Sequence, residues 1–119
     1  MQNELLPRDW EAYKFSEPTI ISVWFEKKKG QDSKVLIPSP CFGPKAFMLV
    51  DALATLDIPA REVSSEEEME QELLIKNVYI LTTNISGLVT KGNVADLWDN
   101  HNELAHEVAN EIMDIQATL

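Results

Sequence analysis

The stretch that decides the fold is Lys34–Val50, KVLIPSPCFGPKAFMLV. An apolar run ends in Pro38 and Pro40, the only cysteine follows at Cys41, and Gly43-Pro44 leads straight into a second apolar run. Proline donates no ladder hydrogen bond, so the spacing predicts a strand over Lys34–Ile37 that stops at Pro38. Pro44 suits the first turn of a helix, and Phe47, Val50, Leu53 and Ala54 recur at helical spacing, which predicts a well-buried helix over Lys45–Asp57. Cys41 would then stand at the mouth of that helix.

Upstream, PTIISVWFEKK (residues 18–28) is rich in β-branched and aromatic residues and reads as a strand. Ile21, Val23 and Phe25 form one row. Ile20, Ser22, Trp24 and Glu26 form the other, with Trp24 expected on the outer face of an edge strand. The polar segment KKKGQDSK is a hairpin loop joining it to Lys34–Ile37. Residues 1–16 read as an N-terminal arm or short helix opening at Pro7, with Trp10 and Tyr13 on one face.

Downstream, Asp57-Ile58-Pro59 ends the helix and a short strand fits Ala60–Val63. Ser65 followed three residues later by Glu68 is a capping box, and glutamates in a first helical turn are favoured by the helix dipole. Asn77–Thr83, NVYILTT, alternates like a strand. Asn93 caps a last helix reaching Gln116, with a stripe of Val94, Leu97, Trp98, His101, Leu104, Ala105, Val108, Ile112 and Ile115. Strands alternating with helices imply one α/β or α+β domain over residues 17–119. Its sheet would be mixed, three- to four-stranded, with Lys34–Ile37, Ala60–Val63 and Val78–Thr83 parallel and the first strand antiparallel at an edge.

The chain of 119 residues is long enough to bury a core, and 45% hydrophobic with 25% charged residues is ordinary for a globular protein. No run approaches the ~18 consecutive apolar residues of a membrane span. MQNELLPRDWEAYKF lacks the basic-then-apolar pattern of a secretory signal, so the expected setting is cytoplasmic and away from membranes. One cysteine cannot build a disulfide framework or a cysteine-based zinc site.

Charge excludes more. The net charge is −10, and the acids cluster. Glu62–Glu72 carries six acids without a base, and so does the region from Gly92 onward. Direct nucleic-acid binding is disfavoured, because phosphate neutralisation supplies most of that affinity. An acidic face suits a basic protein partner.

Catalytic signals are thin. A thiol at a helix N-terminus has a lowered pKa, and Lys45 would add to that effect, so Cys41 and Lys45 are the candidates for thiol chemistry. PCFGPK resembles in outline the active-site turn of thioredoxin-like proteins and is similar to the phosphocysteine loop of sugar-transport IIB domains. It departs from both: there is no second cysteine, and Phe42 and Pro44 stand where a phosphate loop needs small and hydroxyl residues, Pro44 also removing one backbone amide. Neither membership is assigned. Glu103 and His106 have the spacing of a carboxylate–histidine metal motif but occur once, where such sites need two copies. With four glycines, a nucleotide loop is not expected, and neither is any cofactor or metal.

The expected function is therefore a small acidic, non-enzymatic interaction domain. It would be an inhibitor, immunity factor or adaptor for a basic or nucleic-acid-handling protein, contacting it through Trp24, Asp99, Glu103, Glu107 and Glu111. The alternatives are a thiol enzyme or redox carrier using Cys41, and a structural oligomer subunit, for instance a homodimer, joined through Thr19–Glu26 or the last helix.

Overall fold

A computed structural model describes residues 6–118, so the first five residues of the N-terminal arm lie outside the described residues. The fold is mixed α+β: a three-stranded mixed sheet, a separate two-stranded hairpin and a long helix toward the C-terminus. The described chain divides into two compact units, one ending at Leu73 and one starting at Leu74.

The first unit opens with α1 (Pro7–Ala12), with Pro7 in its first turn and the Asp9 carboxylate accepting the Leu6 N–H at 2.9 Å. Trp10 is buried, but Tyr13 is exposed and packs against Phe15 instead, at 6.1 Å between rings. The predicted strand over 18–28 is two short pieces, β1 (Ile20–Ile21) and β2 (Phe25–Glu26). As expected, β2 pairs antiparallel with β3 (Lys34–Val35) across the lysine-rich loop, Phe25 facing Val35 and Glu26 facing Lys34.

The prolines do not end the sheet. Ser39–Phe42 forms β4, its central strand, with β1 antiparallel on one side and β5 (Ala60–Glu62) parallel on the other. The physical reason is alternation. Toward β5 the ladder uses Ser39 and Cys41: Ser39 N–H donates to Pro59, and the Cys41 carbonyl accepts from Val63. Pro40 points its main chain the other way, where only its carbonyl is needed, accepting from Ser22 N–H at 2.9 Å. The missing donor falls opposite Ser22, just past Ile21, so the ladder to β1 forgoes one bond and closes there.

Gly43 makes the turn from β4 toward α2 (Ala46–Ala54) with φ +117°, a region that side chains avoid. A Cβ there would lie 2.4 Å from the Pro18 carbonyl oxygen. Gly43 thus lets the Pro18–Thr19 backbone pass directly over the turn, and Thr19 Oγ1 accepts the Lys45 N–H at 3.1 Å. The helix is less buried than its stripe predicts: only Ala46 is fully covered, and Phe47 and Met48 are about half exposed.

The Ser65 cap forms, its hydroxyl accepting the Glu68 N–H at 3.2 Å. Glu68 does not close the box. Its carboxylate turns to the Ser64 hydroxyl and to Arg61, which also bonds Glu72. The helix that starts there, α3 (Glu66–Thr90), runs for 25 residues and absorbs the predicted strand Asn77–Thr83. The alternation of that segment is local. Leu74, Val78, Leu81, Ile85 and Leu88 repeat every three or four residues across it, and the longer period prevails. The parallel order predicted for Lys34–Ile37 and Val78–Thr83 fails accordingly.

The second unit contains the α3 residues from Leu74 on, α4 (Val94–Asn100) and α5 (Asn102–Ala117). Asn93 caps α4 as expected, accepting the Asp96 N–H at 2.8 Å. The single last helix of the sequence reading is broken at His101, whose φ −129° and ψ 33° leave the helical region.

Candidate functional site

Cys41 lies inside β4, two positions before Gly43, and is fully buried. Its thiol is 3.7 Å from the Ser39 carbonyl, to which it donates. Burial pushes the thiol pKa up and the nearby Glu62 carboxylate adds to the rise, the reverse of the helix-mouth expectation. The cause is the extra strand: β4 carries Cys41 into the sheet and leaves Lys45, exposed, to begin α2. A high-pKa buried thiol is a poor nucleophile.

Trp24 is also displaced from its expected role. It is 6% exposed, and its row, Ile20, Ser22 and Trp24, faces inward. Ser39 fixes this: its hydroxyl accepts the Trp24 N–H at 2.9 Å while Leu36 N–H donates to the Trp24 carbonyl. Held on both backbone groups, Trp24 is part of the core and offers no ring for docking.

The acidic candidates behave differently. Asp99 is exposed on α4, and Glu103, Glu107 and Glu111 are exposed on α5, where their four-residue spacing puts them on one face. Among the described residues no cation pairs with them, and the last turn of α5 carries no base. Glu103 benefits from the positive end of its helix; the others do not.

Three further features escaped sequence reasoning. A cavity of about 930 Å³ lies in the first unit, walled by Trp10, Phe15 and Phe42 with Glu17, Glu62, Glu66 and Arg8 among its polar lining. It is assembled from α1, the Gly43 turn and the end of β5, which no local pattern brings together. Lys76 is the second: a lysine only 8% exposed, its ammonium 5.7 Å from the Tyr79 ring, with burial pushing its pKa down. Such an amine is closer to a usable base than a solvated one. The signal was present as a single cation inside an apolar run, and the strand reading hid it.

The third is the surface of α3. Thr82 and Ser86 are buried while Leu81, Ile85, Leu88 and Val89 are exposed, Leu88 to 80%. By length and composition α3 is apolar enough to cross a membrane, with a mean hydropathy of 1.2 over its most apolar window. No three His, Cys, Asp or Glu side chains among the described residues are grouped to hold a metal ion. Comparison with known protein families, curated proteins and solved structures gives no match.

Proposed function

We propose that this chain is a non-enzymatic protein-interaction domain whose acidic helix ridge receives a basic partner protein. The observation that carries the reading is the ridge of Glu103, Glu107 and Glu111 on α5, exposed and without a cationic neighbour among the described residues. Like charges four apart cost an isolated helix roughly 0.2–0.5 kcal/mol per pair. Asp114 adds charge near the helix end that the dipole disfavours. A ridge that opposes its own helix is accounted for when a cationic surface neutralises it. It would also speed encounter, since complementary fields raise association rates more than affinity.

The buried, high-pKa thiol of Cys41 favours this reading over thiol chemistry. Asp99 sits beside the ridge as a rim contact; Trp24 has no part in it.

The test uses poly-L-lysine as the probe and two triple variants of equal net charge. Glu103→Lys/Glu107→Lys/Glu111→Lys removes the ridge, and Glu66→Lys/Glu67→Lys/Glu70→Lys removes as much charge from the start of α3. The expected result is a larger loss of affinity and of salt dependence in the ridge variant. Equal losses in both would reduce the binding to net charge and end the proposal.

A further inference from the structure

The exposed face of α3 has a grammar of its own. Leu74, Val78, Leu81, Ile85 and Leu88 are spaced four, three, four and three, the alternation of a two-position heptad seam. Leucine fills one position throughout (Leu74, Leu81, Leu88), and a β-branched residue fills the other (Val78, Ile85). That choice favours two parallel strands over other assemblies, because β-branched side chains at the one position and leucine at the other pack best against their own copies in a parallel pair. The seam is open: Leu81 is 43% exposed, Ile85 44% and Leu88 80%. At its start, Leu74 and Val78 line a groove of about 400 Å³ walled on its other side by Met113, Gln116 and Ala117 of α5.

We propose that two copies of this chain pair in parallel along this seam of α3. Charge identifies the occupant. From Asn77 through Thr90 there is no charged side chain, the longest such stretch in a chain of net charge −10. Within this stretch a self-contact brings no carboxylates together, and the glutamates at the start of α3, ending at Glu72, mark the N-terminal limit of the seam. The positions flanking the seam, Ile75, Asn77, Thr82, Asn84 and Val89, are neutral, so nothing repels an identical helix and nothing selects a cationic one. The seam spans little more than two heptads, too short to order two free peptides. Here the fold already holds α3 as a helix of 25 residues, so pairing does not bear the cost of helix nucleation. This inference does not depend on the acidic ridge of α5.

The experiment is sedimentation equilibrium on the full chain with three variants. The wild-type chain should dimerise at or below about 100 µM, and Leu88→Asp should raise the dissociation constant roughly tenfold or more. Leu88 is mostly exposed, so this variant keeps its fold, which circular dichroism checks. In a parallel pair residue 85 meets its own copy, so Ile85→Cys should form a self-disulfide on mild oxidation, while Glu107→Cys on the exposed face of α5 should not. A monomeric wild-type chain overturns the proposal, and so does a dimer indifferent to Leu88→Asp. A dimer in which Ile85→Cys fails to cross-link rules out the parallel pair. Monomers that float with phosphatidylcholine vesicles would assign the seam to lipid and overturn it as well.

Discussion

The two units dispose of their side chains in opposite ways. In the unit ending at Leu73, Ile20, Cys41, Met69 and Leu73 are fully buried, and Ser39 and Pro40 of β4 are accommodated by hydrogen bonds, with the Ser22 hydroxyl buried beside them without a protein partner. From Leu74 on, α3 covers Thr82 and Ser86, whose hydroxyls find no protein partner, and exposes Leu81, Ile85 and Leu88. A buried hydroxyl without a hydrogen bond costs roughly 1–3 kcal/mol, and an exposed leucine forgoes the benefit of burial. The first unit is an interior with a surface around it. The second is built around a helix whose apolar side faces out, which teaches that a helix can be specified by its period alone while the direction it faces is left to what lies against it.

The largest expected effect tests this contrast with glycine. Gly43→Ala forces a Cβ to within 2.4 Å of the Pro18 oxygen at φ +117°, against the Pro18–Thr19 backbone rather than a side chain that could swing away. A loss of about 3 kcal/mol or more is expected in urea denaturation. Gly87→Ala meets nothing within 4 Å inside α3 and should stabilise by about 0.5–1 kcal/mol. Equal signs would erase the distinction between the units.

Truncation comes next. Leu73→Ala, in the closed interior, should cost about 2–5 kcal/mol. Leu88→Ala, measured on dilute monomer, should stay within about 0.5 kcal/mol. A large loss at Leu88 would show that its side is covered within a single copy.

Lys76 gives a smaller, signed effect. Its folded pKa lies below the ordinary 10.5, so the unfolded chain binds the extra proton between the two values. The penalty is fully present below the folded pKa and fades as pH rises toward 10.5, so stability climbs across that window. Lys76→Met should flatten the climb; an unchanged slope in alkaline urea titrations would assign it to other groups. Smallest is Glu68, whose carboxyl is held below its ordinary 4.5 first by its hydrogen bond to Arg61. Its contribution is present above that value and lost as pH falls through the lower, folded one. Glu68→Gln should abolish this acid-side loss and, at neutral pH, lower stability by the same amount, which is small for a half-exposed pair.

Sequence reading succeeded where a local chemical signal sets the structure. Ser65 and Asn93 cap the helices they were expected to cap, and Phe25 and Val35 pair across a lysine-rich loop that holds Gly30. It failed where the deciding partner is distant. Pro40 is compatible with β4 only because β1 ends at Ile21 and β5 takes the alternate residues, neither of which is written near Pro40. Val78–Thr83 read as a strand because a short window cannot weigh a period that spans Leu74 to Leu88. The site follows the same rule. The acidic ridge was legible because a helix aligns every fourth residue, whereas the burial of Trp24 and Cys41 depends on Ser39 and on a strand that the prolines concealed.

The placement of the tryptophans has an optical consequence. Trp10 and Trp24 are buried in the first unit, while Trp98 is half-buried in the second, its ring 6.0 Å from the imidazole of His106 and nearly perpendicular to it. The protein thus carries one half-exposed fluorophore, distinct from the two buried ones, whose emission belongs to the second unit alone. With Trp10 and Trp24 replaced by phenylalanine, the emission of Trp98 would follow the second unit through folding and association without any added dye.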